Sequence, residues 1–201
     1  MKYLEKIQTL LPLGYLYLIV LGLLKEGIEY YQLGINILKY SSITDILISP
    51  ISDVTSNPVL IVMIFSFFVF FYLGQLIVIK NSHKNWAKKI LGQKRFSQDA
   101  SKTEIRKAIF PFFMLFFAGE LLMMFVGLGF GSGAKLALRI KQNNFTCDYR
   151  INFNSGKSAD ILLINMTSSY FFYVTKDDRN IKIAPVGTIN NLELIDNKKL
   201  K

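Results

Sequence analysis

The sequence predicts a mixed α+β membrane protein: a three-helix transmembrane region followed by a small antiparallel β-barrel or sandwich. Three observations carry that expectation. The stretch Val54 to Ile79, VTSNPVLIVMIFSFFVFFYLGQLIVI, lies in a segment without charge between Asp53 and Lys80. Its apolar part, 59–79, meets the length of about 20 residues that a helix needs to cross the hydrocarbon of a bilayer. Two further apolar blocks, at about 7–24 and 108–130, meet the same requirement. Beyond residue 133 the pattern changes to short alternating segments. The expected division is therefore a transmembrane region, 1–133, and a small extramembrane β-domain, 134–201.

The first block, Ile7 to Leu24, follows Lys2 and Lys6 and has the charge order of a signal peptide. No small-x-small cleavage pattern follows it, and Lys25, Glu26 and Glu29 come instead. A retained span is expected, with Pro12 near its N-terminal end, where proline is best tolerated. Tyr30 and Tyr31 then fall at the interface.

The segment 34–51, GINILKYSSITDILISPI, is too apolar for an ordinary loop and too interrupted for a span. Ser42 and Asp45 have capping-box spacing, so a short helix is expected to start near Ser41 or Ser42 and to stop at Pro50. Such an amphipathic or re-entrant element could lie in the interface as a connector, or re-enter the membrane and line a path. The Ser56-Asn57-Pro58 turn leads into the second span.

The basic loop, 80–107, carries nine basic residues against Asp99 and Glu104, a net of +7. Lys25 to Pro58 carries two basic and four acidic residues, a net of −2. Short Lys- and Arg-rich loops stay in the cytoplasm. The expected topology is a multipass plasma (inner) membrane protein with cytoplasmic N-terminus and loop, and its C-terminal domain on the outer (periplasmic) face. Lys135, Arg139 and Lys141 just past the third span pull the other way. Within the loop, His83, Trp86, Ile90 and Leu91 share one helical face, ringed by Lys84, Lys88, Lys89, Lys94 and Arg95. An amphipathic helix on anionic lipid head groups of the inner leaflet is expected, or contact with an acidic partner protein. No nucleic-acid-binding fold accompanies the charge, so nucleic acid is not an expected partner.

The third block contains one charge, Glu120, about halfway along. Charged groups in hydrocarbon are costly and usually face protein or water. Glu120 is thus the intramembrane polar candidate, as a proton or cation site or as a hydrogen-bond partner between helices. Gly127, Gly129, Gly131 and Gly133 end the block. Their spacing forms two GxxxG pairs that allow close helix packing, but alternating glycines also suit a breakdown of the helix, which is the expectation taken here.

In the last third, Cys147, Tyr149, Ile151 and Phe153 alternate with polar residues, and Asn154-Ser155-Gly156 marks a turn. Ile161 to Asn165 and Tyr170 to Thr175 read as strands, Lys176 to Asn180 as a hairpin loop, and Ile181 onward and Ile189 to Ile195 as returning strands. This closing succession of aromatic strand, charged hairpin, IKIAPVGTI and LELI resembles the small barrels of the SH3 or Sm type. The resemblance covers only the last third and implies a fold, not an activity.

Composition bounds the chemistry. The 201 residues are 51% hydrophobic and carry a formal charge of +10, with mean hydropathy +0.32. One cysteine, Cys147, excludes an internal disulfide, and one histidine, His83, excludes a His-pair zinc site. Asn154 to Ser158 ends in Gly-Lys-Ser, but Ile151 stands where a phosphate-binding loop requires its first glycine. The Asn144 and Asn165 sequons and the Asp177-Asp178 pair are common surface features. No spacing assembles a nucleophile and base. The expectation is a non-enzymatic protein without metal or cofactor, an assembly, sensing or anchoring subunit working with other membrane subunits, itself or a different chain. The rival expectation is a subunit of an oligomeric ion channel or transporter using Glu120.

Overall fold

A computed structural model describes residues 2–91 and 101–195. Three helices are long and apolar enough to cross a membrane, at Leu10–Tyr31, Pro58–Lys80 and Thr103–Lys141. The elements in order are α1 (Lys2–Tyr31), a 3-10 turn (Ile37–Lys39), α2 (Ile43–Ser56), α3 (Pro58–Lys80), α4 (Asn85–Leu91), α5 (Lys102–Lys141), then β1 (Tyr149–Phe153), β2 (Ser158–Met166), β3 (Tyr170–Thr175), β4 (Asp178–Pro185) and β5 (Ile189–Leu194). They fall into two compact units. One holds the chain up to Ile51 and from Phe125 onward; the other is Ser52–Met124.

In the first unit, α1 continues past Leu24 to Tyr31. It ends where Gly34 takes a positive φ of 72°. The Gly34 N–H donates to Tyr31 O and the Ile35 N–H to Tyr30 O. This is the paired bonding of a glycine-terminated helix, which uses carbonyls that the last turn would otherwise leave open. α5 ends the same way around Asn143, at φ 53°, with Asn143 N donating to Ile140 O and Asn144 N to Arg139 O. The expected breakdown of the helix at Gly127 to Gly133 is therefore corrected. All four glycines lie inside α5, and Gly129 and Gly133 use their missing side chains for packing.

The capping box at α2 forms as expected: Ser42 N donates to Asp45 Oδ2 at 2.8 Å and Asp45 N to Ser42 Oγ at 3.1 Å. The helix does not stop at Pro50, however, but runs on to Ser56. Pro50 has no N–H to give to Ile46 O. That carbonyl instead lies against Gly22 of α1, where a Cβ would sit 2.1 Å from it. Glycine's bare Cα at this point makes room for the helix to continue.

The five strands form one antiparallel sheet in the order β4-β3-β2-β1-β5. It is not closed into a barrel, and the described residues form no second sheet, which corrects the barrel-or-sandwich expectation. Side chains alternate between its faces. On one face Ile151, Ile161, Phe171, Tyr173 and Ala184 pack with Phe153, Ile189 and Leu192. Register shifts at Asn152/Phe153, Leu163/Asn165 and Tyr173/Thr175 give the strands the extra bend and twist of β-bulges. The other face is covered by helix ends rather than by strands. Leu162 and Val174 pack with Leu136, Ile140 and Phe145. Phe172 packs with Tyr30 and Ile37. A barrel hides its inner face by closing; here α1 and α5 supply the cover.

In the second unit, Asn57 caps α3, accepting from Val59 N at 3.1 Å, with Pro58 in the first turn. Ser101 and Glu104 form another capping box at the start of α5. Val78 and Ile79 pack with Ile105 and Ile109. Higher along the pair, Phe71 meets Phe113 and Phe117 edge-on, with ring centres 6.5 and 6.3 Å apart. The outward residues are apolar: Val62, Phe65, Phe70 and Leu115 are all at least 65% exposed. That pattern fits a hydrocarbon solvent, where backbone bonds are satisfied within each helix and apolar side chains face outward.

Candidate functional site

The most concentrated chemistry lies where α1, α2 and the C-terminal half of α5 meet, within the first unit. Lys25, Glu26 and Glu29 occupy neighbouring positions on α1 inside its membrane-length stretch. Lys25 Nζ lies 2.9 Å from Glu26 Oε1 and 3.2 Å from Glu29 Oε2. Glu26 is 6% exposed, and its Oε1 also accepts a short hydrogen bond from Ser49 Oγ of α2. Charges placed this deeply survive only when paired. Three ionisable groups within one helical turn solve that locally, through i,i+1 and i,i+4 pairing. Ser49 then ties the cluster to α2, one turn from the Gly22–Ile46 contact.

The same α1 stretch also faces α5. A Cβ at Gly129 would sit 2.6 Å from Lys25 O, and one at Gly133 2.6 Å from Glu29 O. The two glycines are therefore the floor against which α1 rests, as small residues in membrane helices allow. Gln32 Nε2 extends the contact, donating to Phe130 O at 3.0 Å and Gly129 O at 3.2 Å. Of the four predicted packing glycines, Gly129 and Gly133 make this contact. Gly127 and Gly131 have nothing within 4 Å of a Cβ position among the described residues.

From this cluster the chain leads directly to the sheet. The Thr167 Oγ1 hydroxyl lies 3.1 Å from Tyr40 O and donates to it. Ser168 donates from N and from Oγ to the two carboxylate oxygens of Asp45, at 3.0 and 2.9 Å. Tyr40 meets Tyr170 and Phe172 edge-on at 5.3 and 5.7 Å. Partial burial alone would raise the Asp45 carboxyl, but the donors from Ser42 and Ser168 outweigh it and hold it below the ordinary carboxylate range. The capping residue of α2 is thus also a clamp on the β2–β3 turn.

Glu120 is exposed on α5, in the second unit. Lys84 and Lys89 are exposed on and beside α4, Lys88 is half-buried, Trp86 is 43% exposed and Ala87 is fully buried. Lys94 and Arg95 lie outside the described residues. Asp178 binds Asn180 N and lies 3.5 Å from Lys182 Nζ, so the Asp177-Asp178 pair is built into a hairpin. Among the described residues no cluster of three His, Cys, Asp or Glu has metal-binding proximity.

Sequence reasoning placed Lys25, Glu26 and Glu29 in a loop and so missed them as a site. The i,i+4 Lys25–Glu29 pair, followed by Gly34 rather than an earlier breaker, was the available signal. Gln75 was also passed over, although it is the single amide in the apolar block 59–79. Gly22, Ser49 and Ser168 carried no local signal, since each matters only through a residue far away in sequence. No family model matches the chain, nor does any curated protein or solved structure.

Proposed function

We infer that this protein is a non-enzymatic, multipass membrane protein acting as an assembly, sensing or anchoring subunit of a membrane complex. One observation carries the reading: the outer elements are packed as extensions of the membrane helices. The ends of α1 and α5 form part of the core of the sheet through Tyr30, Leu136 and Ile140, and Asp45 clamps the β2–β3 turn. A partner seated on the sheet therefore acts directly on helix packing. Among the described residues no further strand pairs with the outer edges of β4 and β5, which offer backbone groups to such a partner.

The topology follows the charge. Loop 80–107 and the N-terminus are cytoplasmic, with Lys84, Lys88, Lys89, Lys94, Arg95 and Trp86 on anionic head groups, and the sheet lies on the outer face of the inner membrane. The joint packing of the α1 and α5 ends on one sheet supports an odd number of crossings between the N-terminus and the sheet. The test is to place a photo-crosslinking residue at Asn190, exposed on β5, in the full-length protein in its own membrane. The expected result is one discrete adduct with a second protein that also co-purifies stoichiometrically in mild detergent. A closed homo-oligomer without a second protein would sink the reading.

That outcome would favour the other use of the helices, an oligomeric channel or transport subunit. Its specific support is the exposure of Glu120 midway along α5, a position that a single chain leaves facing lipid. Three spans do not enclose a pore, so copies would have to bring their Glu120 side chains together. Glu120→Gln should then abolish ion flux in liposomes without changing oligomer mass.

A further inference from the structure

The aromatic seam between α3 and α5, within the unit Ser52–Met124, does not close. Phe71, Tyr72 and Gln75 of α3 and Phe110, Phe113 and Phe117 of α5 line a groove of about 60 Å³. A single water needs only ~10–15 Å³ of such space, so the groove has room for a larger group. Its walls are aromatic and aliphatic, with Gln75 and the phenol-bearing Tyr72 as the polar residues among them. Gln75 is 5% exposed, and among the described residues its Nε2 has no hydrogen-bond partner. A buried donor without an acceptor is a standing cost that a leucine at the same position would not incur.

We propose that the groove holds one acyl chain of a membrane glycerolipid, with Gln75 Nε2 donating to that chain's ester carbonyl. Depth selects this ligand. Gln75 lies five residues before Lys80, which is roughly 7.5 Å along the helix axis at 1.5 Å per residue. The hydrocarbon core spans ~30 Å of a bilayer ~40–45 Å thick, so each interfacial layer is about 5–8 Å deep. With Lys80 at the head-group level, Gln75 reaches the boundary where ester carbonyls end and chains begin. The groove accepts the chain by shape, and the amide accepts only a chain that carries an acceptor at its top. This differs from ordinary annular lipid, which has no fixed hydrogen bond.

The test uses native mass spectrometry of the full-length, detergent-solubilised protein. It is titrated in parallel with dioleoyl phosphatidylglycerol and with the ether analogue that has the same head group and chains but no carbonyls. The wild-type protein should retain one ester lipid with an affinity about two- to tenfold higher than the ether lipid, the range one hydrogen bond provides. Gln75→Leu removes an unpaired donor and should stay folded, binding both lipids equally at the ether-like level. Met114→Trp, at another groove-lining position, should lose the site for both. Equal wild-type affinity for the two lipids overturns the proposal, as does an ester preference that survives in Gln75→Leu. Displacement of the ester lipid by a substoichiometric long-chain quinone would also overturn it, by assigning the donor to a ring carbonyl.

Discussion

Two halves of one helix, α5, pack by opposite rules. Its first half meets α3 through large rings, with Phe113 and Phe117 against Phe71. Its second half meets α1 through absent side chains, with Gly129 and Gly133 against Lys25 O and Glu29 O. The ring contact is apolar on both sides and leaves a groove around a single amide. The glycine contact brings backbones together beside a charged cluster whose members are paired. The difference teaches that tightness in a membrane helix pair follows from what is missing as much as from what is large. Aromatic rings interlock imperfectly on a cylinder, while glycine lets polar backbone and charged side chains be sealed from lipid in one plane.

The largest effect should come from blocking the sealed contact. Gly133→Leu places a branched side chain where even a Cβ would lie 2.6 Å from Glu29 O and 3.0 Å from Glu29 Cα. The backbone cannot yield cheaply, and a loss of about 3 kcal/mol or more is expected, read as a lowered melting temperature in detergent. Gly131→Ala, two residues away with open space, should be neutral or stabilising by up to about 1 kcal/mol. If both substitutions are equally mild, the glycines are not the floor of the α1 contact and the contrast between the two halves collapses.

A smaller effect is expected from the charges beside that floor. Glu26→Ala removes a carboxylate that is 6% exposed and leaves Ser49 Oγ without its acceptor. Lys25 keeps Glu29 at 3.2 Å, so the loss should be about 2 kcal/mol, below the ~3–5 kcal/mol of a pair broken outright. Glu120→Gln, on an exposed site, should leave the same melting curve unmoved. A larger loss from Glu120→Gln than from Glu26→Ala would reverse the ranking of the two carboxylates and make Glu120 the structural one.

The sequence made one kind of information easy to read and hid another. Spans and strands were legible because hydrophobic length and period-2 alternation are properties of contiguous residues: the turn at Asn154-Ser155-Gly156 lies where the sheet turns, while the second hairpin turn is shorter than the expected 176–180, since β4 already begins at Asp178. The Ser42–Asp45 box was legible for the same reason. The glycine run was misread because local rules treat alternating glycines as a weak helix, whereas Gly129 and Gly133 take their meaning from α1, about a hundred residues earlier. Pro50 was misread as a stop because its effect on Ile46 O depends on Gly22 standing opposite. The open sheet was misread as a barrel because an alternating strand shows that a face is covered, but not by what. Glu120 drew attention as an isolated charge, while the paired cluster at Lys25, Glu26 and Glu29 resembled the end of a span.

The smallest effect tests whether the clamp between α2 and the sheet is electrostatic. Asp45 is held below its ordinary value of 3.8 in the folded state. A carboxyl with a depressed folded pKa binds its proton more readily when unfolded. Its contribution is therefore complete above the unfolded value and is lost as pH falls through the folded one. Asp45→Asn keeps the shape and one acceptor oxygen but removes the charge. It should cost about 1 kcal/mol at neutral pH, the usual worth of such a cap. Asp160, lowered by its hydrogen bond from Arg150, and Asp178, lowered by the backbone N–H of Asn180, titrate in the same acid range. They are common to both proteins, so the difference in melting temperature between wild type and Asp45→Asn isolates the clamp. That difference should be constant from pH 7 to about pH 5 and should shrink only below pH 3.8. A gap that closes near neutrality would mean that a different group controls the clamp. A gap that never closes would mean that Asp45 holds Ser168 by shape alone, and that the sheet is joined to the helices by packing at Phe172 and Val174 rather than by charge.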